Sequence, residues 1–148
     1  MSDGRKRQLS GCPIDYGLDV FGDRWTLLVI RDLLFAGKRH FKELMESPER
    51  IASNILAARL KKLEERGLIE RCADPENRKQ VIYTLSDKGR DLAPVLVEMI
   101  RWGGRHDPET LVPKSFVTRL ARNNDQLIAD VRAGMAEAAR KVKAKARR

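Results

Sequence analysis

Between residues 53 and 71 the chain reads SNILAARLKKLEERGLIER, with leucines at Leu56, Leu60 and Leu63 in steps of four and three. That spacing predicts an amphipathic helix over about 53–66, docked through one leucine stripe and closed by Gly67 just past its end. The other face carries Ser53, Asn54, Ala57, Ala58 and Lys61, with no acid before Glu64. It is small, polar and basic, a surface suited to close approach to an anionic partner.

The pattern upstream predicts a loose polar arm over 1–11 and a short helical turn in CPIDYGLDVFG that ends at Gly22. A helix follows in DRWTLLVIRDLLFAG, capped by Asp23 and stopped by Gly37. Its apolar residues, from Trp25 to Leu34, are too many for one stripe, which predicts contact on more than one side, including a dimer partner. RHFKELMES reads as a short helix with Phe41, Leu44 and Met45 inward, ended before Pro48. After Gly67 the chain reads as a hairpin: Ile69, Arg71 and Ala73 alternate with polar neighbours, DPENRK supplies the turn with Asn77 tolerating positive φ, and Val81, Tyr83 and Leu85 return at period two. Ser86-Asp87-Lys88-Gly89 opens one long helix to about His106, with Pro94 in its first turns. Beyond Pro108 and Pro113, Phe116, Leu120, Leu127, Val131 and Met135 mark the apolar side of a further helix; Asn123, Asn124 and Gly134 weaken it, and its basic last ten residues are expected to fray. The chain thus divides into an arm (1–11), a body (12–106) and a C-terminal helical extension with a basic tail (107–148).

Composition sharpens this. The chain has 148 residues, 34% of them charged, and a net charge of +9, which favours nucleic acid as partner before a membrane surface. No apolar run is long enough to span a bilayer, and the basic N-terminus lacks the apolar stretch of a secretory signal. Cys12 and Cys72, 60 residues apart, give neither metal spacing nor a disulfide framework. A reducing cytoplasm is the expected compartment. No phosphate loop, metal set or nucleophile–base motif appears, so neither an enzyme nor a cofactor is expected.

Helix, helix, helix, hairpin, helix is the order of a winged helix-turn-helix: a mainly α (α+β) fold with a small β-hairpin wing. The 53–66 helix is then the recognition helix, and ESPERIA the turn before it. The DNA major groove, about 12 Å wide, admits a helix whose leading face is small; asparagine pairs with adenine, alanine touches a thymine methyl, and lysine or arginine reaches guanine or phosphate. Base contacts concentrate at the N-terminal end of such a helix, which favours Ser53 and Asn54. Taken singly, Ser53 also reads as an N-cap and Asn54 as a solvated position. Arg59 borders the leucine stripe and either binds phosphate or pairs with an acid inside the fold. Arg78 and Lys79 sit at the wing tip, over the minor groove or backbone, or in a turn that is merely solvated. Lys38, Arg39, His40 and Lys42 flank the start of the second helix of the motif, where phosphate contacts or simple solvation both fit; Arg39 and Lys42 are the DNA-binding candidates there.

Several ordered motifs, Cys12-Pro13, Gly-x-x-Trp-Thr-Leu-Leu from Gly22, Arg-x-Phe-x-Glu-Leu from Arg39, Leu-x-x-Leu-x-x-x-Gly-Leu-Ile-x-Arg from Leu60 and Tyr-x-Leu-x-x-x-Gly from Tyr83, resemble the HxlR family of bacterial and archaeal winged-helix regulators, relatives of MarR. The match runs from about Cys12 to Gly103. The resemblance implies a homodimeric DNA-binding transcription regulator, more often a repressor, with short palindromic operators. It implies a dimer built by the N-terminal segment, the Trp25–Leu34 helix and the helix after the wing, with room for a small-molecule effector. It also makes Cys12 a candidate redox or electrophile sensor, with an inert thiol at the dimer interface as the alternative; Cys72 is expected to serve packing. Two departures stand out. The wing turn DPENRK lacks the family's Pro-x-x-Pro form, and Ala52 replaces its Ser or Thr cap, which leaves Ser53 as the expected cap. A winged-helix protein–protein adaptor is the competing class; its third helix would carry acids or large apolar side chains rather than this face.

Overall fold

The computed structural model describes residues 8–112 and 124–147. The elements are α1 (Pro13–Phe21), α2 (Arg24–Leu34), α3 (Phe41–Met45), α4 (Ser53–Glu65), β1 (Ile69–Ala73), β2 (Val81–Leu85), α5 (Asp87–Arg90), α6 (Ala93–His106) and α7 (Asn124–Ala146). This is the winged helix-turn-helix order expected above, and the N-terminal turn is a full helix of nine residues.

α2 is the centre of the fold. Asp23 caps it, accepting from the amides of Trp25 and Thr26 at 2.9 and 3.0 Å, which satisfies two of the donors a helix start leaves open. Val29, Ile30, Leu33 and Leu34 are buried, and Trp25 and Leu27 pack on the same core. The wide apolar girth of α2 is met inside the chain, by α1, α4, β2 and α6. Trp25, Leu27 and Leu28 remain half-buried. The exposed large apolar side chains among the described residues lie elsewhere, on α1 and α6 and at Leu111 beyond α6.

α4 docks as its leucines predict: Leu56, Leu60 and Leu63 are each at most 3% exposed, worth roughly 1.5–3 kcal/mol apiece. It ends at Arg66, and Gly67 takes φ +75°, where only glycine is unstrained. The N-cap is Ala52, without a side-chain cap, and Ser53 is the first helical residue; the cap expected of Ser53 is not formed. Its hydroxyl is one position too far along the helix to reach back to the open amides.

The hairpin is antiparallel, pairing Ile69 with Leu85 and Cys72 with Ile82. Strand β2 does not alternate as predicted: Ile82 and Leu85 are buried, while Val81 and Tyr83 are only half-buried. The reason is cover on both sides, since β2 packs against α2 and also against α7. Asn77 does not use positive φ; among the described residues Arg50 is the one non-glycine that does. Asn77 shapes the turn through its side-chain oxygen, which accepts from the Lys79 amide at 3.3 Å.

The long helix after the wing is divided. α5 ends at Arg90 and α6 starts at Ala93, because Pro94 has no N–H and its ring excludes the carbonyl four residues back. The C-terminal segment does not fray. α7 continues to Ala146, packs Ile128 beside Val97 of α6, buries Val142 to 5% exposure and pairs Lys143 with Glu70 and Lys145 with Glu76. Phe116 and Leu120 lie outside the described residues.

Candidate nucleic-acid interface

Ser53, Asn54, Ala57, Ala58 and Lys61 are all exposed along one side of α4. Lys61 is 78% exposed and approaches Glu65 only at 4.0 Å, a surface pair of little worth. The acids of α4, Glu64 and Glu65, sit at its C-terminal end. The N-terminal half therefore offers a small, uncharged to cationic face, as the sequence suggested.

A second set of cations on α4 points inward and holds the helix in place. Arg59 Nε donates to Asp23 Oδ1 at 2.8 Å, Lys62 Nζ to the Asp19 carbonyl at 3.1 Å, and Arg66 to Asp19 Oδ2 at 3.0 Å. The spacing of 59, 62 and 66 puts them on one stripe, clamped to the α1–α2 junction. Of the two readings of Arg59, the structure takes the internal pair. Burial pushes the Asp23 carboxyl up, but hydrogen bonds from Thr26, Arg59 and the Thr26 and Trp25 amides outweigh it and hold the group at about 2.

The turn before α4 is locked to α2. Arg31 grips Glu49 through two bonds of 2.5 and 2.9 Å, a fork geometry that favours arginine. That hydrogen bonding lowers the Glu49 carboxyl to about 2. Buried Asp32 takes Ser47 and Lys38 as partners, and Lys38 also bonds Ser47 at 3.0 Å. Lys38 is thus occupied inside the fold.

His40 is occupied too. Its Nδ1 lies 2.6 Å from Glu43 and its Nε2 2.9 Å from Asp74 at the base of the wing. The Arg39 carbonyl accepts from the Tyr83 amide at 2.9 Å. The start of α3 and the wing are therefore tied together by one imidazole and one backbone bond. Of the 38–42 cluster, Lys38 and His40 are structural, while Lys42 is exposed and Arg39 half-buried. The hydrogen bond to Asp74, then that to Glu43, raises the His40 pKa above its ordinary 6.5. A raised folded value means that the clamp's stability is complete below about pH 6.5 and is lost as pH rises through the folded pKa. The expected result is that His40→Gln lowers the melting temperature more at pH 6 than at pH 9; an equal effect at both would show that the ring's charge plays no part.

Arg78 and Lys79 are exposed at the wing tip, where Asp74 Oδ1 accepts from the Glu76 amide at 2.8 Å and the Asp74 amide donates to the Gln80 carbonyl at 2.9 Å. Cys12 is an exposed free thiol at the start of α1. The backbone amides of Asp15 and Ile14 hold its pKa below the usual thiol value. Sequence reasoning held the Arg59 pair open as one of two readings, but missed the Lys62 and Arg66 contacts on α4 and the Arg31–Glu49 lock on the turn. Their one signal was the row of acids at Asp19, Asp23 and Asp32, each of which has a cationic partner elsewhere in the chain.

Residues 20–110 match the HxlR-like helix-turn-helix family. The chain belongs to this family. Its relatives include YodB, an HTH-type transcriptional regulator of Bacillus subtilis (strain 168), 40% identical over 92 residues that cover 62% of this chain and 81% of YodB. Among solved structures, PA1607 superposes with a TM-score of 0.63 at 39% identity, covering 70% of this chain and 72% of that one. Reduced YodB superposes with a TM-score of 0.55 at 36% identity, over 67% and 98%. YodB is also solved bound to a quinone and after diamide treatment, and the redox regulator HypR in oxidised and reduced forms. Like these relatives, the chain is a winged-helix transcriptional regulator and not an enzyme. No helix among the described residues is long and apolar enough to cross a membrane.

Proposed function

We propose that the chain is a homodimeric, sequence-specific repressor that places the N-terminal half of α4 in the major groove of a palindromic operator. The observation that carries this is the division of α4's cations: Arg59, Lys62 and Arg66 hold the helix from behind, while Ser53, Asn54, Ala57, Ala58 and Lys61 stay open in front. Asn54 is the base-reading residue, Arg78 and Lys79 contact the minor groove or backbone, and Arg39 and Lys42 contact phosphates beside α3. The dimer uses α1 and α6. Ile14 and Leu18 are 72% and 56% exposed one turn apart, and Met99 and Trp102 are 53% and 69% exposed on one side of α6; paired apolar stripes of this kind mark an interface. The dimer sets the two recognition helices about 34 Å apart, one turn of DNA.

Enrichment from a random duplex pool tests this: the chain is expected to select a two-fold symmetric site, and a pool that stays random sinks the reading. An asymmetric enriched site would keep DNA recognition and remove the symmetric dimer.

Cys12 is the proposed sensor of electrophiles or oxidants. It is exposed, its thiolate is favoured by the first-turn amides of α1, and it stands beside the Ile14–Leu18 stripe. A quinone adding to it, the thiolate forming an S–C bond while a ring C=C pair shifts to oxygen and is protonated to leave a hydroquinone thioether, would place bulk at the interface and change the spacing of the two recognition helices. Cys12 is expected to alkylate with iodoacetamide faster than Cys72 and faster than a free thiol of ordinary pKa at pH 7. Equal rates for Cys12 and Cys72 would remove Cys12 from this role.

A further inference from the structure

The C-terminal helix α7 lies outside the family match, which ends at residue 110, yet its last turns rest on the wing. Lys143 Nζ is 2.6 Å from Glu70 and Lys145 Nζ 3.5 Å from Glu76. Lys141 and Lys145 share a shallow cavity with Arg39, ahead of α3. The cationic end of the helix therefore sits between the two elements that flank α4.

Charge decides what this placement does. From Ile69 to Gln80 the wing carries Glu70, Asp74 and Glu76 against Arg71, Arg78 and Lys79, so alone it has no net charge. A neutral wing gains little from a polyanion, and its acids repel phosphate. α7 sets a lysine against two of those acids. Both pairs are exposed on each side, between 48% and 80%, so they are weak and leave the lysines within reach of phosphate while they offset the acids. Arg147 adds an exposed cation at the same end.

We infer that the end of α7 is a phosphate-binding element of the DNA interface, which neutralises Glu70 and Glu76 and adds its own cations to the duplex beside the wing. This rests on the DNA-binding reading above. An acidic protein is the less favoured partner, because the cations adjoin Arg39 and the wing rather than forming a patch apart.

The test is anisotropy of the full chain on a duplex enriched from a random pool and on a scrambled duplex, over a salt series. Lys143→Gln with Lys145→Gln is expected to weaken binding to both duplexes by the same factor, at least about tenfold near 0.1 M salt, and to flatten the salt slope by about 0.9 for each phosphate no longer neutralised. Arg132→Gln serves as comparison. It pairs with Asp91 from the first half of the helix, about 20 Å from Lys145 at 1.5 Å per residue, beyond the screening length of about 10 Å. It is expected to change affinity by about twofold or less. Equal loss per charge from both variants, no loss, or tighter binding by the lysine variant would overturn the inference. Should the lysine variant melt early, Glu76→Gln in the otherwise wild-type chain decides: it removes an acid and frees Lys145, so tighter binding is expected, and unchanged or weaker binding overturns the inference. Failure of the wild-type chain to distinguish the two duplexes would sink operator recognition instead, while the salt slopes still read out α7.

Discussion

Gly89→Ala lowers the stability of the chain by about 3 kcal/mol, the upper end of the usual cost of overpacking, and drops the melting temperature by about 10 °C. Gly89 is buried in α5. A Cβ there would fall well inside contact with the Leu68 carbonyl oxygen and 2.9 Å from Leu85 Cδ2. Backbone cannot rotate away as a side-chain end can. The approach is held by Ser86, whose amide donates to the Leu68 carbonyl at 3.0 Å and whose hydroxyl donates to the Gly67 carbonyl at 2.5 Å. The same contacts fix where β1 leaves α4, so the variant should also lose DNA affinity as the wing shifts. A melting temperature within about 2 °C of wild type would contradict this cause for the glycine.

Ala58→Glu has the opposite profile: stability stays within about 0.5 kcal/mol, while operator affinity falls by about 100-fold, since like charges set against each other at an interface cost several kcal/mol. Ala58 is exposed in mid-helix, where glutamate is a good helix former. The substitution puts a carboxylate on the face proposed to enter the groove, against bases flanked by phosphates. Asn54→Ala is milder and of another kind: a loss of about 1–3 kcal/mol of discrimination at one base position, with less effect on nonspecific binding. If Ala58→Glu bound DNA as wild type does, the recognition face would lie elsewhere.

What the sequence made legible was local and periodic. The leucine stripe of α4, the Asp23 cap, the Gly67 stop and the hairpin all follow from spacing between near neighbours in the chain, and each stands in the structure. The Gly89 position was visible as one residue of a motif, but its cause, the carbonyl of Leu68 on the far side of the hairpin, was not. Partner choice between distant residues was equally hidden. Nothing in the spacing shows that Arg59 takes Asp23, that Lys38 and His40 are spent on Asp32 and Asp74, or that β2 is covered on its second face by α7. The basic C-terminal run was the largest misreading. Its charges suggested fraying, yet the segment is helix to Ala146 and docks through buried Val142. The open face of α4 was correctly located because exposure of a helix side opposite a leucine stripe is itself a periodic property.

The most direct measurement is competition anisotropy with the full chain on its pool-enriched duplex, challenged by the scrambled duplex at about 0.15 M salt. Wild type is expected to resist the scrambled competitor by about 1,000-fold or more, and Ala58→Glu to lose this resistance without any change in its melting curve. Equal competition by the scrambled duplex would contradict operator recognition: only the net positive charge would then be acting, and a winged-helix adaptor for protein partners would become the better reading.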